Sequence, residues 1–300
     1  MNKKKTSWFV RIAIVLFIAV FLLISIAPAF ADSFAGQQIV TLGKDLTQQQ
    51  RNQLLTEFGS KPDAQVIEVT NQEEHKYLGD TLPAQKIGYK AISSSFITFG
   101  DKDSGLKIES KNITWITNEM YVSALTTAGV TDADIKVSAP YPVSGTAALT
   151  GIMKAFEQKT GQPISDDVKK VANEEMIKTA QLADSIGDKD KAIELMKRIK
   201  EELAKQGSNL SDDQLRDMIQ KIAKDLNIQL SPDELNSLIS LVRKLQNANI
   251  DWNVVGQRLD QIKTKFQDFV SANPEAKSFL RQIVDFLKQL LDKIASWLNG

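Results

Sequence analysis

The chain has no cysteine, which removes disulfides, iron–sulfur clusters, thiolate zinc sites and cysteine nucleophiles together. It has a single histidine, His75, so a His-based relay has one candidate and a multi-histidine metal site cannot form within one chain. Neither charge is in surplus: 37 Lys and Arg stand against 37 Asp and Glu. A nucleic-acid binder carries a strongly basic face, so the balance argues against that class. Walker and GxGxxG patterns are missing too, and no cofactor is implied.

Long apolar runs are confined to one place. Lys3, Lys4, Lys5 and Arg11 precede the stretch Ile12 to Ile26, Pro28 then breaks the helix, and Ala29-Phe30-Ala31 offers small residues to a signal peptidase. The run falls short of the ~20 residues of a comfortable span. It reads as a secretory signal peptide cut after Ala31, with an uncleaved anchor as the alternative. Either way the rest lies outside the membrane, secreted or associated with the cell wall. Cleavage leaves 33 Lys and Arg against 37 Asp and Glu.

The remaining length suggests two domains. The pattern predicts an α+β chain, with a small mixed α/β domain at 32–142 and an all-helical bundle at 143–300. In the first part, strands are expected at 39–43, 64–69 and 135–138, and helices at 47–58, 71–78 and 118–128. Lys90–Phe99 and Gly105–Ile113, rich in β-branched residues and joined by Gly-Asp-Lys-Asp-Ser, read as a hairpin. Ala139-Pro-Tyr-Pro142 marks the exit from this domain. Helices follow at 145–159, 165–186 and 189–206. Two copies of one start signal come next, Leu210-Ser-Asp-Asp-Gln-Leu215 and Leu230-Ser-Pro-Asp-Glu-Leu235. In each, Ser caps the helix and a residue three places on reaches back to it. Pro232 takes the first helical position, where a missing N–H costs nothing.

The opening VTLGKDLTQQQ (Val40 to Gln50) and the junction APYPVSGTAALTGIMKAFE (Ala139 to Glu157), with the order of export signal, α/β part and helices, resemble the YpuA-like family of secreted Gram-positive proteins, domain of unknown function 1002. The resemblance spans essentially the whole mature chain. It implies no chemistry and transfers no catalytic residue.

Four constellations carry potential chemistry. Ser144, Gly145 and Thr146 open a helix whose backbone N–H groups can hold an anion, or they simply cap it. Asp101, Asp103 and Gly105 begin like a calcium loop, but Leu106 and Asn112 stand where an EF-hand needs Gly and Glu, so a turn explains them. Glu73, Glu74 and His75 have ligand chemistry, but neighbours on a helix point apart, and His75 is expected to be exposed. No metal site is expected. In the last helix, Phe286, Leu290 and Trp297 belong to a broad apolar face able to lie on an anionic membrane or to pack in a bundle.

The reading favoured by these features is a non-enzymatic cell-envelope protein that binds a wall polymer, a membrane surface or another extracellular protein. A hydrolase using two carboxylates that converge only in space is the first alternative. A peripheral membrane protein docked by its last helix is the second.

Overall fold

The computed structural model describes residues 35–79, 81–82, 87–207 and 209–261. The segment read as an export signal and the stretch expected to form the last helix, with Phe286, Leu290 and Trp297, lie outside the described residues. Among the described residues, no helix is long and apolar enough to cross a membrane.

The order of elements is β1 (Gln38–Gly43), α1 (Gln48–Phe58), β2 (Gln65–Val69), α2 (Asn71–Leu78), β3 (Ser94–Phe99), β4 (Leu106–Ile113), α3 (Asn118–Thr127) and β5 (Ala133–Val143). It continues with α4 (Thr146–Thr160), α5 (Asp166–Ile186), α6 (Lys189–Gln206), α7 (Asp212–Asp225) and α8 (Pro232–Asn247). Residues 252–261 are also helical. The chain is thus mixed α and β, with its described strands before Ser144 and mostly helices after. The capping signals act where the sequence places them. Thr47 with Gln50, Ser211 with Gln214 and Ser231 with Glu234 each form the reciprocal pair of hydrogen bonds, and Ser165 caps α5.

The sheet has the order β2-β1-β3-β5-β4. β1 and β2 run parallel around α1, and β4 and β5 run parallel around α3. Two βαβ units therefore flank β3, which is antiparallel to a strand on each side. The expected β3–β4 hairpin does not form, because β5 lies between its arms. The reason is visible in burial: β3 is nearly all buried and needs neighbours on both edges, whereas the polar residues of β4 suit a sheet edge. Asp132 fills the wide connection. Its carbonyl accepts from the Gly100 N–H at 2.6 Å and its carboxylate from the Gly105 N–H at 2.9 Å.

β5 also runs past Ser138 to Val143, through the residues expected to end it. β3 pairs with it only as far as Ser138, so the missing N–H groups of Pro140 and Pro142 leave no bond to β3 unmade. At Asn112 the β4 edge shifts register, and that side chain donates to the Ala139 carbonyl at 2.7 Å.

Helix α1 covers one face of the sheet. Its Leu54 and Phe58 pack on Val40, Leu42 and Phe96, with the Phe58 and Phe96 rings stacked at 6.0 Å. On the other face, α4 lies over β1, β2 and β3. From there a continuous apolar core runs from Ile39, Ile97 and Ile135 through Leu149 and Ile152 to Met176, Leu195 and Leu241 of the later helices. Each such side chain stabilises by roughly 1.5–3 kcal/mol through burial.

Candidate functional site

Three groups of polar side chains come together, and each is assembled from segments far apart in sequence.

The first surrounds the start of α4 and joins the two motifs of the family resemblance. Gly145 opens the helix at φ +100, and no side chain next to it in sequence caps it. Instead Ser93, from the approach to β3, accepts from the Ala148 N–H at 3.0 Å. A Cβ at Gly145 would also lie 2.4 Å from the Tyr121 hydroxyl. Tyr121 is fully buried and donates to the Gly145 carbonyl, and burial pushes its phenol pKa up. Gly43, from the opening motif, lies so close to the Ala91 carbonyl that a Cβ would sit at 2.2 Å. Of the three residues considered for anion binding, Thr146 is buried and Ser144 half-buried, and their hydroxyls are 3.3 Å apart.

Facing them is α2, whose one-turn spacing of Asn71, Glu74 and Leu78 turns Glu74 inward, where it is 1% exposed. Thr146 donates its hydroxyl to Glu74, and Asn71 adds a donor at 3.3 Å. Burial pushes the Glu74 carboxyl up to about 7 against those two hydrogen bonds. The three adjacent residues do point apart. Glu73 completes a capping box with Thr70 and meets Lys154 at 2.6 Å, while His75 is half-buried rather than exposed, with Nε2 3.0 Å from the Gly88 carbonyl.

The second group ties α3, α5 and α6 together. Lys200 and Glu175 form an ion pair of 2.9 Å with both side chains fully buried. Lys200 donates to the Ser123 carbonyl and hydroxyl, both at 2.8 Å, and to Thr127 at 3.1 Å. The Ser123 and Thr127 hydroxyls donate to the two Glu175 oxygens at 2.5 Å each. With the ammonium committed to a carboxylate, Lys200 is an internal counter-ion and not a base for Ser123.

The third group is open to solvent. A groove between α2, α5 and α8 is lined by Tyr77, Asp167, Lys170, Glu174, Lys244 and Asn247, among others. Glu174 takes the Lys244 ammonium on both oxygens, at 2.9 and 2.8 Å. Tyr77 donates to Asp166 at 3.2 Å, and Lys76 meets the same carboxylate at 2.7 Å, which holds Asp166 below the usual carboxylate range. Lys76 and Lys169 stand 5.1 and 5.6 Å from the Tyr77 ring centre.

Elsewhere the Asp101–Gly105 segment forms a turn whose Asp103 carboxylate accepts from Arg258 at 3.1 Å. Among the described residues, no three Asp, Glu or His side chains are grouped to hold a metal.

Glu175 and Lys200 escaped the sequence reading, although a signal was present, and Glu74 was read as a ligand type without its burial. Glu175 stands three residues after Ala172 and four before Thr179, and Lys200 four after Met196 and three before Leu203, all buried positions. A charge at a position of the apolar stripe marks a buried ion.

The family model described as Protein of unknown function (DUF1002) matches residues 42–262. Over 278 residues the chain is 44% identical to the Uncharacterized protein YpuA of Bacillus subtilis (strain 168), covering 93% of this chain and 95% of that protein. No solved structure matches it. The chain belongs to the DUF1002 family.

Proposed function

We propose that the protein is exported by its first 31 residues and acts outside the membrane as a binding module of the cell envelope, with a wall polymer as its target. The observation that carries this reading is the groove between α2, α5 and α8. It combines an aromatic ring, two ammonium groups, two carboxylates and an amide on rigid helices. Such a set suits a hydrated polymer bearing hydroxyl, amino and carboxyl groups, since rigid polar groups around an apolar ring fix orientation. On this reading the sheet-bearing part, 32–142, frames the helical part, 143–300, which supplies most of the surface. Ser144, Gly145 and Thr146 serve the frame in this account.

The same groove gives the carboxylate hydrolase a specific pair to consider, Asp167 and Glu174. Seven residues apart on one helix, they are separated by about 10 Å along the axis. Glycosidases need ~5 Å for retention and ~6.5–9.5 Å for inversion, so the spacing favours binding. Both Glu174 oxygens are also taken by the Lys244 ammonium, which leaves neither free to face a scissile bond.

The test is co-sedimentation of the exported protein with purified wall sacculi, comparing the wild type with Tyr77→Ala/Lys170→Ala. Binding that falls at least tenfold in the double variant supports the proposal. A wild type left in the supernatant contradicts it, and release of soluble wall fragments assigns the groove to hydrolysis.

A further inference from the structure

The charges in and around the groove between α2, α5 and α8 decide which wall polymer it can hold. Its walls carry Asp167, Lys170, Glu174 and Lys244, and Lys76, Asp166 and Lys169 stand at Tyr77 beside them. Lys244 is paired with Glu174, Lys76 with Asp166 and Lys169 with Glu157, the last two at 2.7 Å. With Asp167 and Lys170, which are opposite in sign, these described residues amount to four cations and four anions. A face that holds a polyanion carries an excess of cations, because its affinity comes from neutralising successive phosphates and releasing their counter-ions. Among these residues there is no such excess, so a phosphodiester polymer finds little to neutralise it.

The Tyr77 ring forms part of the wall, but it is not an open platform for stacking a sugar. It is half-buried, its hydroxyl donates to Asp166, and Lys76 and Lys169 stand over the ring at 5.1 and 5.6 Å. What the groove turns to solvent is polar: Asp167, Lys170 and Asn247 are exposed, and Thr81 is half-buried. Asp167 and Lys170 are three residues apart on α5, hence on one face and about 4.5 Å apart along the axis. They offer both signs within the span of one small zwitterion, with the Asn247 amide and the Thr81 hydroxyl placed to bond its peptide groups. The groove has a volume of about 280 Å³, just under the ~300–1,000 Å³ of pockets that engulf a drug-sized ligand, so it fits one short branch and not a whole strand.

We infer, resting on the wall-binding reading, that the groove recognises the short peptide branches of the wall's glycan–peptide network by their amino and carboxyl groups, and not a phosphodiester polymer. Asp167 takes the ammonium of the branch and Lys170 its carboxylate. A branch carrying both signs on a neutral groove displaces few counter-ions, so affinity changes by less than about twofold for a fourfold rise in salt. Two phosphates held by Lys170 and Lys244 would instead lose about tenfold over the same rise.

The test is co-sedimentation of the exported protein with two preparations of wall sacculi, one keeping its phosphodiester polymers and one stripped of them by cold hydrofluoric acid, each at low and at fourfold higher salt. The wild type should bind both preparations equally and with little response to salt. Asp167→Asn and Lys170→Gln should each weaken binding, by about two- to fivefold as for exposed charge pairs. For a polyanion the two variants would act in opposite directions, because removing the Asp167 charge would strengthen its hold. Binding confined to the unstripped sacculi, a tenfold loss with salt, or an Asp167→Asn protein that binds as well as the wild type or better overturns the inference while leaving the protein a wall binder. Binding to neither preparation removes the wall-binding reading itself, and the inference with it.

Discussion

Replacing Lys200 by Met is the sharpest test of how the helices are held together. The substitution keeps an unbranched side chain of similar length while removing the cation from a site with no exposure. Glu175 would remain fully buried, with the Ser123 and Thr127 hydroxyls still donating to it and no counter-charge. Leaving one partner of a buried pair alone costs about 3–5 kcal/mol, because the surviving charge has lost its compensation without regaining water. For a body of this size that lowers Tm by about 6 to 20 °C. Urea denaturation would measure the loss, and a double-mutant cycle with Glu175→Leu would attribute it. The Lys200→Met/Glu175→Leu protein should recover most of the stability, since no charge is then buried. A loss below about 1 kcal/mol in Lys200→Met would mean that the pair is effectively hydrated, as exposed pairs are, and would refute the reasoning. A double variant as unstable as the sum of the two singles would do the same.

Glu74→Gln should make the protein more stable at pH 8 and leave it nearly unchanged at pH 4. The folded carboxyl lies near 7 and not 4.5, so stability is intact below about 4.5 and lost as pH rises through about 7. At 1.36 kcal/mol per pH unit, the gain at pH 8 approaches about 3 kcal/mol in thermal or urea unfolding. Gly145→Ala should destabilise by about 1–3 kcal/mol or more, because φ +100 is costly for alanine and its Cβ would meet Tyr121. Pairing it with Tyr121→Phe should relieve only the clash with the hydroxyl, since Ile113 Cγ2 would still lie 2.5 Å from that Cβ, and full recovery in that pair would show that neither that contact nor backbone strain contributes.

What the sequence made legible was local. Thr47, Ser165, Ser211 and Ser231 mark helix starts because a cap is settled within four residues, and the structure places the helices accordingly. The β3–β4 hairpin failed because pairing is decided between strands. The Gly-Asp-Lys-Asp-Ser turn suits a hairpin, but buried β3 could be completed by either β4 or β5, and Asp132 directs the start of β5 into the gap. Pro140 and Pro142 looked like a strand terminus for a related reason: whether a proline breaks a strand depends on which edge lacks a partner. At the candidate sites, the helix start at Gly145 was legible, while its cap was not, since Ser93 lies some fifty residues away. The inward turn of Glu74 was equally hidden, because Glu73 and Glu74 are alike in sequence and only their partners separate them, buried Thr146 for Glu74 and the partly exposed Lys154 for Glu73.

The claim that the protein works outside the membrane, bound to the wall, is tested most directly by fractionating the producing cells and determining the N-terminal residue of the protein in each fraction. The account predicts a chain beginning at Asp32 and recovered with the wall. A chain that keeps Met1 and stays in the cytoplasm would contradict it.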